Sequence, residues 1–296
     1  MGIPSGQLET WSHQGSITQS SATYQSIKSA LEDAKIPYSQ KSYSVFLQGS
    51  YGNATNIFKE SDVDIVIQCN SGFFYDLSAL NEDQKLQFKS AHPDCSYSYA
   101  AFKADVIKVL KDKYGSSVDV GAKAITISAN GSRRKADVVA AFQFRRYNRF
   151  LSLSDYSCAE GICFFTGDGT KIVNYPKFHS ENLTNKHQQT SSRFKPMARI
   201  LKNMRARLVD AELLESGDAP SYYIEGLLYN VPNSKFVANL ETTFMNSLIY
   251  IAESDRSNFL CANEMYLLLK EDSAVSWRAE KCDKFISAVI DMWTHW

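Results

Sequence analysis

The sequence predicts a mixed α/β lobe, residues 1–165, followed by a helical lobe, residues 166–296, and three patterns lead to that reading. Short apolar runs with period-two alternation recur between residues 42 and 166, interrupted by turn residues and a long helical stretch. From Ser191 almost to the C-terminus the apolar positions recur at helical spacing instead, with Pro220 and Pro232 as punctuation. No repeat and no low-complexity linker separates the two patterns, so the lobes are expected to pack closely.

Along the chain, residues 16–21 offer several caps for a helix running to about Ala34. Tyr24, Ile27, Ala30 and Leu31 share a face of it, and Pro37 closes it. Residues 42–48 alternate, with Tyr43, Val45 and Leu47 on one side, as a half-buried strand does. Gly49-Ser50-Tyr51-Gly52-Asn53 is a tight turn ahead of a short helix, and residues 62–68 form the next strand. Residues 82–114 read as mostly helical. Residues 118–120, 124–128, 134–142 and 161–166 read as further strands, and the polar stretch 179–190 as a loop.

Hydrophobic residues make up 44% and charged residues 22%, the profile of a folded chain. Lys+Arg and Asp+Glu are 32 each, and zero net charge argues against the broad basic surface a duplex binder needs. The six cysteines include no CxxC pair, and several, such as Cys163, sit in apolar runs as buried thiols of a reducing compartment do. No Cys/His cluster has structural-zinc spacing. The first residues lack a signal peptide, and position 6 is Gly where myristoylation wants Ser or Thr. No run approaches the ~18 apolar residues of a membrane span. A cytoplasmic protein without membrane attachment is expected.

The chemistry is concentrated in Gly49-Ser50, eleven residues, then Asp62-Val63-Asp64. Strand residues i and i+2 share a face, so Asp62 and Asp64 present two carboxylates side by side while Val63, Ile65 and Ile67 turn to the core. Adjacent carboxylates repel, and magnesium relieves that repulsion while taking further oxygens from substrate phosphates. At Gly49-Ser50 the glycine allows close backbone approach, the hydroxyl donates to phosphate, and a following helix N-terminus favours negative charge. A third carboxylate completes a two-metal site. Asp137 qualifies, as the only acid in Arg134-Lys135-Ala136-Asp137-Val138-Val139-Ala140, with Asp119 the alternative. A single DxD is often just a solvated strand end; the whole order is far more specific.

That order resembles the DNA polymerase beta-like nucleotidyltransferases. More narrowly, five stretches are similar to the bacterial CD-NTases, the cGAS/DncV-like nucleotidyltransferases, and the similarity extends over about residues 16–290. They are Phe46-Leu47-Gln48-Gly49-Ser50-Tyr51-Gly52-Asn53, Ser61-Asp62-Val63-Asp64-Ile65-Val66, Asn174-Tyr175-Pro176-Lys177, Phe194-Lys195-Pro196-Met197-Ala198-Arg199-Ile200-Leu201-Lys202 and Pro220-Ser221-Tyr222-Tyr223-Ile224-Glu225. The resemblance implies a DNA polymerase beta-like core, a mixed β-sheet with flanking helices, plus a C-terminal helical lobe closing the nucleotide cleft. It also implies a magnesium-dependent enzyme with two ions per active site and manganese as a substitute ion. Such an enzyme makes a cyclic di- or trinucleotide from ribonucleoside triphosphates, ATP among them, and releases pyrophosphate. The product acts on a separate effector protein in anti-phage (CBASS) defence.

Under that resemblance Asp62, Asp64 and Asp137 are both catalytic and metal-binding. Gln48, Gly49, Ser50, Lys202, Ser221 and Tyr222 bind nucleotide. Lys202 grips the donor triphosphate from a partly wet cleft, Ser221 contacts phosphate, and Tyr222 stacks on a base, a contact worth ~1–3 kcal/mol. Tyr223 is assigned to the core. Lys195, Arg199 and Lys202 fall at i, i+4 and i+7 beside the apolar stripe Phe194, Met197, Leu201, Met204 and Leu208. Lys195 and Arg199 read as a solvated face, as do Arg145, Arg146 and Arg149, and His179 and His187 as surface or structural residues. The chain lacks the zinc-binding insertion of the animal DNA sensor, which together with zero net charge argues against activation by duplex DNA; a monomer is expected. Two rivals remain: a template-independent transferase acting on an RNA end or protein side chain, and a catalytically silent nucleotide-binding sensor. The first wants a basic path and the second has little use for a third carboxylate.

Overall fold

The computed structural model describes residues 2–59, 62–93 and 95–296. In chain order the elements are α1 (Ser5–Ser12), α2 (Thr18–Leu31), β1 (Tyr43–Gln48), α3 (Gly49–Gly52), β2 (Val63–Asp76), α4 (Glu82–Ala91), α5 (Tyr99–Tyr114), β3 (Val118–Val120), β4 (Ile125–Ile127), β5 (Ala136–Ser152), β6 (Asp155–Phe165), β7 (Lys171–Asn174), α6 (Pro176–Gln189), α7 (Phe194–Asp210), α8 (Ser221–Tyr229), α9 (Leu240–Glu253) and α10 (Ala279–Thr294). They group into two compact units that are both discontinuous in sequence. One comprises Met1–Ser20, Gln48–Ser61 and Pro176–Trp296; the other comprises Ser21–Leu47 and Asp62–Tyr175. The N-terminal helix and the Gly49-Ser50 turn thus group with the helical segments.

The sheet unit is organised by β5. Along one edge it pairs in parallel with β2, and its other edge is shared between β4 at the start and β6 beyond, both antiparallel. The strand order is β1-β2-β5-β4-β3, with β6 and β7 continuing from the far half of β5. A parallel pair needs a long crossover, which the segment carrying α4, α5, β3 and β4 provides. Val63, Ile65, Val66 and Ile67 are all fully buried, so β2 is covered on both faces, as parallel strands are. Alternation is therefore weaker in β2 than a half-buried strand would show. Asn81 and Ser98 cap α4 and α5 by accepting from the backbone N–H of Gln84 and Ala101.

The helical unit is built around α7, whose Phe194, Met197, Leu201, Met204 and Leu208 are buried in one apolar cluster with residues of α1, α8, α9 and α10. Two expectations are corrected here. Residues 176–189 form helix α6 rather than a loop: the inward positions, spaced by four and three, are His179, Leu183 and Lys186, so two polar residues hide the helical period. Lys186 donates to the Val231 carbonyl, and burial pushes its ammonium down to about 8. Lys195 and Arg199 are not a solvated face either. Arg199 donates to the carbonyls of Ser12 and Ala54, and burial lowers it to about 10. Helix α2 ends at Leu31, ahead of Pro37. Arg145, Arg146 and Arg149 are absorbed by Gln143, Asp76 and Asp155 respectively. No helix among the described residues is long and apolar enough to cross a membrane.

His187 reports on this half-buried basic region. Its Nδ1 accepts from the Lys195 N–H, and burial, with the charges of Lys195 and Arg199, lowers the imidazole from 6.5 to about 4. Between those values the unfolded chain binds the proton that the folded chain refuses, so stability falls as pH drops from 6.5 toward 4. Thermal midpoints measured across that range should decline less steeply in His187→Gln than in the parent; equal slopes would remove His187 as the cause.

Candidate active site

Sheet register assembles the acidic residues. Asp64 on β2 stands opposite Asp137 on β5, and Thr126 on β4 opposite Asp137 on its other side. Registered residues of neighbouring strands share a face, so the three side chains lie in a row. Asp119 of β3 continues the row beyond Thr126. It stands two strands, about 10 Å, from Asp137, which leaves Asp137 as the carboxylate beside the DxD pair. Asp62 lies just ahead of β2 and is exposed, whereas Glu60 and Ser61 lie outside the described residues. The Thr126 hydroxyl donates to Asp137 Oδ1 at 2.5 Å. Lys135 Nζ donates to Asp62 Oδ2 at 2.7 Å and to Asp137 Oδ2 at 3.2 Å. The bond to Asp62 is the main cause holding the Lys135 ammonium above its ordinary value.

These residues fit a hard divalent cation. All donors are carboxylate oxygens, and an ammonium already occupies the place between two of them that demands positive charge. Among the described residues no three His, Cys, Asp or Glu side chains close into a cage. Carboxylates spread along one end of the strands suit an ion that completes its shell with substrate oxygens.

The helical unit carries the second group. Gly49 has φ of +64°, a left-handed conformation that glycine adopts without cost, so the chain leaves Gln48 directly into the single turn of α3. Four residues build little macrodipole, so the helix field adds little to any attraction for an anion here. Lys202 is fully buried, not in a partly wet cleft. Its Nζ donates to Glu225 Oε1 at 2.5 Å, Thr55 Oγ1 at 2.8 Å and Ser50 Oγ at 3.0 Å. The Thr55 hydroxyl donates in turn to Glu225 Oε1, and Asn53 Nδ2 donates to Oε2 at 3.2 Å. His179 contacts Oε2 at 2.7 Å. A carboxylate only accepts, so Nε2 carries that proton, and His179 is a buried structural residue, not a surface one. Burial alone would raise the Glu225 carboxyl, but the Lys202 charge and the His179 bond hold it below the usual carboxylate range.

The remaining sequence candidates lie close to this network. The Tyr222 ring stacks on His179 at 4.6 Å between centroids, its hydroxyl accepts from Asn263 Nδ2, and burial raises that phenol strongly. Tyr223 stacks on Trp277. Ser221 begins α8, and its hydroxyl oxygen accepts from Arg205 at 3.3 Å. Sequence reasoning missed Lys135, Thr126, Thr55 and Glu225. Glu225 left a legible signal, a lone acid in the apolar helical run of α8. Lys135 had one too, two residues before Asp137. Thr126 and Thr55 left none, because only sheet register and chain crossing bring them in.

The model of the cGAS/DncV-like nucleotidyltransferase C-terminal helical domain matches residues 181–294. A cyclic UMP-AMP synthase of Rhodothermus marinus is 40% identical over 300 residues, covering 100% of this chain and 99% of that protein. The structure of Rhodothermus marinus CdnE c-UMP-AMP synthase with Apcpp and Upnpp superposes with a TM-score of 0.89 at 39% identity, covering 99% of this chain and 97% of that one. The Elizabethkingia meningoseptica CdnE cyclic dinucleotide synthase, solved with GTP and Apcpp, gives 0.79 at 30% identity and 98% coverage of both chains.

Breaking the Lys202–Glu225 pair should cost more than removing it. Glu225→Ala leaves a buried ammonium without its counter-charge, a loss of about 3–5 kcal/mol, whereas replacing both members by residues of similar volume should cost much less. Urea unfolding of the single and double variants decides this; a double variant no more stable than Glu225→Ala would refute it.

Proposed function

The chain belongs to the bacterial cGAS/DncV-like nucleotidyltransferases, and on that premise we propose that it joins ribonucleoside triphosphates into a cyclic oligonucleotide, releasing pyrophosphate at each step. The relatives named above are cyclic dinucleotide synthases, which favours a dinucleotide product. The observation that carries the reading is the register of Asp64 with Asp137, with Asp62 one residue ahead of the same strand.

The residues divide the work. Asp62, Asp64 and Asp137 hold the divalent ions, and Asp137 orients the acceptor 2′- or 3′-hydroxyl. Its Oδ1 is held by the Thr126 hydroxyl, so the carboxylate does not have to be ordered at each turnover. When bound, magnesium, as two ions or with manganese in its place, neutralises triphosphate charge and eases loss of the acceptor proton. The hydroxyl oxygen bonds to the α-phosphorus of the donor, the bond to pyrophosphate breaks, and a second round closes the ring. Ser50, with Gln48 and Gly49 around it, donates to the triphosphate, and Lys202, Ser221 and Tyr222 complete the nucleotide contacts. Zero net charge supports action on free triphosphates without duplex DNA. We read the enzyme as a cytoplasmic monomer whose product signals to a separate effector protein in anti-phage defence.

The purified protein with magnesium and the four ribonucleoside triphosphates should yield a phosphatase-resistant cyclic product by mass spectrometry. Asp62→Asn combined with Asp64→Asn should abolish it while leaving the melting curve intact. Asp137→Asn should keep donor binding and lose at least about 10²–10³-fold in turnover, the loss typical of a group that acts on the transition state. A strict requirement for an added RNA or protein acceptor would instead establish the transferase reading.

A further inference from the structure

Lys135 stands where the acidic group needs a cation. It lies just ahead of β5, and its carbonyl accepts from the Val63 N–H at 3.0 Å, which fixes its backbone to β2. The ammonium spans the two strands: Nζ lies 2.7 Å from Asp62 Oδ2 and 3.2 Å from Asp137 Oδ2. On Asp137 the Thr126 hydroxyl takes Oδ1, so Lys135 holds the other oxygen. Asp62 precedes β2 and is exposed, and this ammonium is what joins it to Asp137. A divalent ion that bridges Asp62 and Asp137 would enter the same place, and two cations so close repel. One of them has to leave. The lysine is the weaker competitor, because the side chains of Lys135 and Asp62 are 43% and 52% exposed and ion pairs open to water contribute little. Its four-carbon stem lets the head swing into solvent while the backbone stays in register.

We propose that Lys135 is a positioning residue of the metal centre, an internal counter-ion that keeps Asp62 and Asp137 together before the divalent ion arrives and is displaced by it. This rests on the reading of Asp62, Asp64 and Asp137 as the metal ligands. By neutralising one of the three carboxylate charges, Lys135 also moderates how strongly the site attracts a bare ion. An arginine in its place would hold the same oxygens more firmly, because a planar guanidinium pairs with carboxylates bidentately.

Affinity for Mn²⁺ alone, followed through the electron paramagnetic resonance of the free ion, should therefore fall in the order Lys135→Met, parent, Lys135→Arg. The methionine variant should bind about three- to tenfold tighter than the parent, and the arginine variant at least about twofold weaker. A charge sensed only at a distance would leave Lys135→Arg equal to the parent; that result overturns the proposal, as does Lys135→Met binding no tighter. The unaltered chain gives a second readout that needs no variant. Acetylation of Lys135 by acetic anhydride, read by peptide mass spectrometry against the exposed Lys35, should accelerate when saturating Mn²⁺ is added without nucleotide, since the released amine loses both carboxylate partners. An unchanged rate would mean that ammonium and ion share the carboxylates, and displacement is then overturned while the metal-site reading stands. Mn²⁺ binding by Asp62→Asn with Asp64→Asn as tight as by the parent would overturn both.

Discussion

The parallel pairing of β2 with β5 is the constraint on which the acidic group depends. Parallel strands are joined only through a long crossover, so residues 64 and 137 become neighbours across more than seventy positions of sequence. A slip of one residue would turn Asp137 to the opposite face and set Val138 beside Asp64. Burial prevents the slip: Val63, Ile65, Val66 and Ile67 on one strand and Val138 and Ala140 on the other are enclosed by the core, and every apolar contact favours the same register. The position of the carboxylates is thus maintained by residues with no chemistry of their own.

Positive charge is managed differently in the two units. Lys135 is half-exposed and bridges two carboxylates at the surface of the sheet unit, an arrangement that water screens and a stronger cation can displace. Lys202 and Glu225 are enclosed, where desolvation penalises both ions and the surrounding hydrogen bonds from Thr55, Asn53 and His179 must offset the cost. Such a pair contributes little net stability against an apolar replacement. The pair links α7 and α8, which supply the two charges, to Ser50, Asn53 and Thr55 in and just after the short turn that follows β1.

Helix α7 illustrates how one element carries both roles. Its apolar stripe anchors the helical core, and Lys202 and Arg205 project from the same turns into polar contacts with Ser50 and Ser221. Arg199, one turn earlier, satisfies the carbonyls of Ser12 and Ala54 and so ties the N-terminal segment and the stretch after the Gly49-Ser50 turn to this helix. The discontinuous make-up of the helical unit follows from such ties.

The sequence by itself determined most of the elements, the DxD pair on one strand face and the Gly49-Ser50 turn, because these are local: strand period places two carboxylates on one face, and φ of +64° at position 49 calls for glycine. It also marked α7 through its apolar stripe. What only the tertiary structure decided concerns partners and burial. Helix α6 escaped detection because His179 and Lys186 hold its inward positions, and a polar residue looks exposed until its partner is known. Lys202 read as a solvated clamp for the same reason; Glu225, twenty-three residues away, and Thr55, far earlier in the chain, withdraw it from solvent. Periodicity reports which faces are apolar, whereas charge pairing depends on distance in space, and no local pattern encodes that distance.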